Sequence, residues 1–197
     1  MKRLLFYLTL VLLAACAGSG PAPDDHYYRL PPVSVAADPA PLTDGVIFVE
    51  QLLADGIYRE RSLLYSKDAE GLELDRYHYH HWIDRPSYLI RDGLIDYLRS
   101  AHEAAQVVSI PDIPAQLSIY GRIRHFERRI TASGVTVIVG LEFRVNRESQ
   151  ETPLLLKEYN RTEELRDDSM AASIKAFAHL LDSIYRELVE DIRAHGG

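Results

Sequence analysis

Between Val135 and Val145 every second residue is a large aliphatic or aromatic one, and this alternation limits the possible folds more than any other feature of the chain. Successive side chains of a β-strand point to opposite faces, so the pattern predicts a strand with one buried face. Two further strand-like segments, 117–130 and 154–163, flank it and are joined to it by short connections. Since short connections join neighbouring antiparallel strands, we predict a three-stranded antiparallel meander over these residues.

Two amphipathic helices are predicted from apolar residues that recur three and four positions apart. The first begins around Pro86, whose fixed φ suits the first turn of a helix, and ends near Glu103. The second begins near Ser169 and carries one apolar stripe from Met170 to Ile192. A single stripe of this kind typically faces the sheet of its own domain. We therefore expect the long C-terminal helix to pack on its own sheet rather than on a partner helix.

Shorter strand patterns lie between proline and glycine residues in the N-terminal half of the chain. The predicted strands there cover 26–30, 46–52, 56–66 and 72–82, the last two being joined by a turn at 68–71. Together with the meander and the two helices, this order of elements predicts an α/β fold with a mixed sheet flanked by at least two helices. The chain is long enough for one such domain, which we assign to residues 26–197.

The N-terminal segment predicts export and membrane attachment. Residues 1–15 combine a cationic start, an apolar run and two small residues, as secretory signal peptides do, and the run is too short for a permanent transmembrane helix. The sequence Leu-Ala-Ala-Cys that ends at Cys16 matches the bacterial lipobox, in which the cysteine sulfur is acylated. We therefore expect lipidation of Cys16, with residues 16–25 as a flexible tether rich in glycine and proline. A plain signal peptide with an incidental cysteine is the alternative.

The formal net charge of −7 limits the classes of partner. A nucleic-acid-binding protein needs a basic face, so an acidic chain argues against nucleic acid, and also against general electrostatic adhesion to anionic membranes. Membrane attachment is therefore expected to come mainly from the N-terminal lipid anchor.

No standard catalytic or phosphate-binding motif occurs in the sequence, which lowers the expectation of an enzyme. The one cluster that suggests chemistry is the Tyr-His-Tyr-His-His-Trp segment ending at Trp82. Within it His78 and His80 are two residues apart on a predicted strand and would project from one face, as two metal ligands do. No third ligand stands at a recognisable spacing, so a structural strand is the favoured interpretation. Trp82 is expected to anchor the core, and no cofactor is expected.

A group of basic residues on one strand of the meander suggests a docking surface. Tyr120, Arg122, Arg124 and Arg128 concentrate positive charge in an otherwise acidic protein, and at least Arg122 and Arg124 should lie on one face of the strand. A solvated edge with ion pairs to residues such as Glu142 is one interpretation. The other is a docking face for an acidic partner or for phosphate head groups.

The combination of these segments resembles the ABC-type transport auxiliary lipoprotein family. The resemblance rests on the lipobox and short tether, a Tyr-Tyr-Arg-Leu strand at 27–30, the segment VIFVEQLLADGIYRERSLLY at 46–65, and a Tyr/His-rich strand that ends at Trp82 before a proline-started helix. It implies a three-layer α/β/α sandwich with a mixed sheet. It also implies a role in transport rather than a reaction, with no catalytic residues.

The same resemblance implies partners and a location. Such lipoproteins serve lipid or hydrophobic-compound traffic across the periplasm together with an MCE-domain protein, an inner-membrane permease and an ATPase. Ala17 follows the lipobox cysteine where an aspartate would favour retention in the inner membrane, so the periplasmic face of the outer membrane is expected. A lipid- or metabolite-binding lipoprotein that holds cargo in its own pocket is the alternative, and a metal-dependent enzyme around His78 and His80 is a third.

Overall fold

The computed structural model of the chain describes residues 23–32, 40–68, 70–148 and 150–196. The predicted signal peptide, Cys16 and residues 16–22 of the predicted tether lie outside the described residues. No helix in the described part of the chain is long and apolar enough to cross a membrane.

The described residues form eight strands and two α-helices. In chain order they are β1 (His26–Tyr28), β2 (Val46–Val49), β3 (Ser62–Ser66), β4 (Asp75–Trp82), α1 (Pro86–Ser100), β5 (Gln106–Val108), β6 (Leu117–Thr131), β7 (Gly134–Arg147), β8 (Leu155–Leu165) and α2 (Met170–Gly196). Strand β5 has no counterpart among the predicted strands. The single strand predicted over 56–66 is wrong in its first half, where the structure has a short 3₁₀ helix, Gly56–Arg59, before β3. Gly56 has a φ of +54°, a conformation that interrupts an extended strand and favours glycine.

All eight strands form one mixed sheet, in which the long strand β6 holds two groups of strands together. One edge of β6 pairs with β7, and β7 with β8, as the predicted antiparallel meander. The other edge pairs in parallel with β2 along its first half and with β3 along its second half. Strand β5 extends the sheet from β2, while β4 and then β1 extend it from β3. The segment 53–60 fills the gap between β2 and β3, where Leu53 bridges Arg122.

Both helices lie side by side on one face of the sheet. Tyr185 of α2 donates a hydrogen bond to the carbonyl of Ile90 in α1, and its ring meets that of Tyr97 with the centroids 5.8 Å apart. The α/β fold, the mixed sheet, the meander and the C-terminal helix on its own sheet are confirmed. The described residues place no α-helix on the opposite face. The described residues therefore form one sheet layer and one helical layer, and the second helical layer of the implied three-layer sandwich is not present among them.

A single apolar core lies between this sheet face and the helices. The alternating side chains of β7 from Val135 to Val145 are buried, as predicted. Trp82 is 1% exposed and contacts Phe126 and Phe177, each with a ring-centroid distance of 5.3 Å. Trp82 is thus the core anchor that its position before α1 predicted, and it joins β4 and β6 to α2.

A β-bulge in β6 reverses the order in which its side chains face the core. Ile123 pairs with Leu141 of β7, but the next pair is His125 with Gly140, so β6 has one extra residue at this point. Before the bulge the odd-numbered residues face the helices, as Ile123 does; after it Phe126 does so. The bulge consequently places Arg128 on the helix side of the sheet, away from Arg122.

Candidate docking groove

A groove of about 990 Å³ crosses the sheet face that lies opposite the helices. We call it the outer-face groove. Its lining comes from the segment after β2, the 3₁₀ helix, the start of α1 and the outer faces of β6, β7 and β8: Glu50–Ala54, Arg59, Arg85, Ser87, Tyr120–Arg122, Glu142, Arg144 and Leu156. Leu53 and Leu156 are 57% and 65% exposed, and their side chains give the groove part of its apolar surface.

The floor of the groove is rigid because the strands beneath it are tightly packed. Gly121 of β6 lies directly above the core, and a Cβ atom there would be 2.6 Å from Leu52 Cγ and 2.9 Å from Phe143 Cε1. Leu53 is held to β6 by hydrogen bonds from its amide to the Gly121 carbonyl (2.8 Å) and from the Ile123 amide to its own carbonyl (2.9 Å). The backbone at Leu53 is therefore held in place by its hydrogen bonds to the sheet.

Three of the four predicted docking residues lie on the outer face of the sheet. Tyr120 and Arg122 line the groove, and Arg124 lies beside it, as the alternation of β6 predicted. Both of these arginines have carboxylate partners: Arg122 pairs with Asp55, and Arg124 pairs with Glu142 at 2.6 Å. Their charges are thus largely neutralised within the molecule, as one of the two sequence interpretations proposed.

The fourth predicted docking residue, Arg128, is not on this surface. It is 4% exposed on the helix side of the sheet, where its guanidinium donates hydrogen bonds to the Tyr77 hydroxyl (2.5 Å) and to the Asp168 carbonyl (2.6 Å). The physical reason for the correction is the bulge after Ile123, which shifts the alternation of β6 by one residue. Arg128 has a structural role, connecting β6 to β4 and to the segment before α2.

Three arginines that the sequence analysis did not single out complete the cationic lining. Arg59, Arg85 and Arg144 line the groove, and in the described part of the chain none of them has a carboxylate within ion-pair distance. Arg144 lies over the ring of Tyr120, 4.6 Å from its centroid, in a cation–π contact that leaves its hydrogen-bond donors available. The alternation of β7 in the sequence is enough to predict that Arg144 faces away from the core. The sequence contains no pattern from which the proximity of Arg59 and Arg85 to Arg144 could be predicted.

The histidine-rich strand β4 departs from the regular alternation on which the prediction of a two-histidine face depends. The pairing of β3 with β4 jumps from Ser62 opposite His81 to Leu64 opposite Arg76, so β4 is irregular where His78 and His80 stand. Among the described residues no group of three or more histidine, cysteine or acidic side chains could hold a metal ion.

His80 instead belongs to an aromatic cluster at the edge of the sheet. Its Nδ1 lies 2.8 Å from the Tyr28 hydroxyl, and its ring stacks on His26 with a centroid distance of 5.1 Å. Partial burial, with the positive charges of His26 and Arg128 nearby, lowers the pKa of His80 below its usual range. His78 is exposed, and its carbonyl lies 3.1 Å from His81 Nε2. These contacts are those of a structural strand.

The structure is a small α/β domain with an open groove on its surface, and no group of three or more His, Cys or acidic side chains among the described residues could hold a metal ion. Comparison with protein families identifies the family of this domain. The chain matches the model of the ABC-type transport auxiliary lipoprotein component over residues 28–189, and it belongs to that family. The match covers all eight strands except the first two residues of β1, and most of α2.

Solved structures agree with this fold. A protein from Xanthomonas campestris is 20% identical, with a TM-score of 0.74 over 87% of this chain and 96% of its own. An uncharacterized protein is 16% identical, with a TM-score of 0.71 over 86% of this chain and 99% of its own. No curated protein matches the sequence.

Proposed function

We propose that this protein is an accessory component of an ABC-type intermembrane transport system for lipids or hydrophobic compounds, and that it docks to the periplasmic MCE-domain protein of that system. Family membership carries the transport role. The outer-face groove supports docking, because it combines exposed leucines with arginines on a rigid sheet. The role is proposed to be non-catalytic, with an inner-membrane permease and an ATPase reached through the MCE-domain protein.

We further propose that the lipidated Cys16 anchors the domain to the periplasmic face of the outer membrane. The support is the Leu-Ala-Ala-Cys sequence after an apolar run, the lipoprotein family, and Ala17 in place of an aspartate. Residues 16–25 would then tether β1 to the membrane, within about 35 Å of the lipid at full extension. Replacing Cys16 by alanine is expected to prevent acylation. Retention of the Cys16→Ala protein in the outer-membrane fraction would contradict the anchor.

Docking is favoured over storage of cargo within the domain. The space between the sheet and the helices is filled by one continuous core, in which Leu94, Phe143 and Ile184 are fully buried. An acyl chain needs an enclosed apolar cavity that removes most of its surface from water. The outer-face groove is open and has charged residues along its length, so it suits a protein partner better than a lipid tail.

Affinity purification of the full-length protein tests the proposal. Tagged protein extracted in mild detergent after gentle cross-linking is expected to retain the MCE-domain protein together with the permease and ATPase. The Arg122→Glu/Arg124→Glu double variant should weaken this capture, because both residues lie at the groove. Recovery of none of these proteins from cells that contain all three would contradict the proposed function.

A further inference from the structure

The outer-face groove has an excess of uncompensated positive charge in an otherwise acidic protein. Two of the charged residues that line it have ion-pair partners: Arg122 pairs with Asp55, and Glu142 pairs with Arg124. Glu50 has no ion-pair partner among the described residues, and its carboxylate accepts the amide hydrogen of Gln51 at 3.1 Å, so three unpaired arginines share the lining with one unpaired carboxylate. The remaining three, Arg59, Arg85 and Arg144, have no ion-pair partner in the described residues. This concentration of arginine contrasts with the net charge of −7 for the whole chain.

Guanidinium groups select the chemistry of a ligand more narrowly than other cations. Their planar donors match the two oxygens of a carboxylate or a phosphate, and the pairing is frequently bidentate. Leu53 and Leu156, the two exposed leucines of the lining, add an apolar contact to the site. The complementary ligand therefore carries separated anionic groups together with an apolar side chain.

Between a phospholipid and a protein segment, the shape of the groove favours the protein. Two leucines that remain more than half exposed cannot shield acyl chains from water, although they can cover a single apolar side chain. A polypeptide also places its side chains at fixed spacing, which suits arginines held on three different elements. These are the 3₁₀ helix, the segment before α1 and strand β7.

We infer that the outer-face groove binds an acidic segment of the transport partner, with carboxylates on Arg59, Arg85 and Arg144 and an apolar side chain against Leu53 and Leu156. This inference rests on the proposed docking function and specifies the chemistry that the docking requires. It assigns recognition to three arginines other than Arg122 and Arg124, whose charges Asp55 and Glu142 already compensate. Those two residues contribute by shaping the floor and rim of the groove.

Site-specific photo-cross-linking in cells that contain the transport proteins tests the inference. A photoreactive benzoylphenylalanine replaces Leu53 or Leu156 in the groove, or, as matched controls, the exposed Leu72 or Ile110 outside it, which are 83% and 66% exposed. Mass spectrometry of the cross-linked peptides identifies the segment in contact. The expected result is an adduct from the two groove positions to a segment of the MCE-domain protein in which Asp and Glu outnumber Lys and Arg.

Charge reversal provides the second arm. The Arg59→Glu/Arg144→Glu variant is expected to reduce the groove adduct about tenfold, since two exposed ion pairs are replaced by repulsion. The Arg29→Glu/Arg166→Glu variant changes the net charge equally at exposed arginines outside the groove and should leave the adduct unchanged. Unchanged unfolding midpoints show that both variants remain folded.

The outcomes separate the inference from the function on which it rests. Adducts to lipid, adducts to a segment without an acidic excess, or equal losses in both charge-reversal variants overturn the acidic-segment inference. Adducts to the MCE-domain protein from Leu72 or Ile110 alone overturn the groove as the site while the docking function stands. If no transport protein is cross-linked from any of the four positions, the proposed function itself is contradicted.

Discussion

The hydroxyl of Tyr185 in α2 donates a 2.8 Å hydrogen bond to the carbonyl of Ile90 in α1, and it does so from a side chain that is fully buried. Burial also raises the pKa of Tyr185, so the hydroxyl remains a donor at all ordinary pH values. This contact links the long C-terminal helix to the helix whose first residues border the outer-face groove. It therefore fixes α2 against α1 within the helical layer.

Replacing Tyr185 by phenylalanine is expected to lower the free energy of unfolding by about 0.5–1.5 kcal/mol, because one buried hydrogen bond is lost while the ring is retained. Replacement by alanine also leaves a cavity and should cost about 3–5 kcal/mol. Chemical denaturation of the purified protein measures both. Tyr79→Phe is the matched control at an exposed tyrosine, and an equal loss in that variant would contradict the assigned role.

Gly121→Ala should destabilise the domain through close contact in the core. The added Cβ would meet Leu52 Cγ at 2.6 Å, a separation that forces the side chain or the strand to move. Overpacking of this kind costs about 1–3 kcal/mol. Thermal unfolding measures the loss, and Ser118→Ala, three residues earlier on the same strand, serves as a control. A Gly121→Ala protein as stable as the wild type would show that Leu52 has room to adjust.

The sequence predicts the central part of this fold because periodicity and burial agree there. In β7 the residues from Val135 to Val145 alternate without interruption, and every one of the six apolar positions lies in the interior. The stripe on α2 is equally regular, so its packing on the sheet of its own domain follows from spacing. Which strands it contacts, β7 and β8, is known only from the structure. Strand β5, with three residues, is too short to show a period. Its pairing with β2 depends on tertiary contacts.

The site is less predictable because its charges are compensated across large sequence separations. Arg122 is neutralised by Asp55, a residue 67 positions earlier, and the three uncompensated arginines of the groove come from separate elements. The bulge after Ile123 has no glycine or proline to mark it in β6, so alternation alone places Arg128 on the wrong face. The sequence therefore identifies a cationic strand, but not which of the arginines are available to a partner.

The position of Arg128 leads to a test that compares two arginines of one strand. Arg128→Ala removes buried hydrogen bonds to Tyr77 and to the Asp168 carbonyl and should cost about 1.5–3 kcal/mol of stability. Arg124→Ala removes only a surface ion pair with Glu142 and should cost less than about 1 kcal/mol. Urea denaturation of both variants provides the comparison. Equal losses would contradict the reversal of faces at the bulge.

The aromatic cluster at the sheet edge makes the stability of the domain depend on pH. Burial, with His26, Arg128 and His81 nearby, holds the pKa of His80 below its value in the unfolded chain. The unfolded state therefore binds more protons at this residue between the folded pKa and the unfolded value of about 6.5. The contribution of His80 to the stability of the domain is therefore complete at pH values above the pKa of the unfolded state. It is lost as the pH falls from that pKa toward the lower pKa of the folded state.

Replacing His80 by glutamine is expected to reduce the loss of stability between pH 7.5 and pH 5.5, because the group that gains the proton on unfolding is absent. Unfolding free energies measured at the two pH values in the wild type and in His80→Gln give the difference directly. His78→Gln is the matched control, since His78 is exposed on the same strand, and it should retain the wild-type dependence. If His80→Gln loses as much stability as the wild type on acidification, the depressed pKa of His80 does not contribute, and the acid sensitivity belongs to other groups.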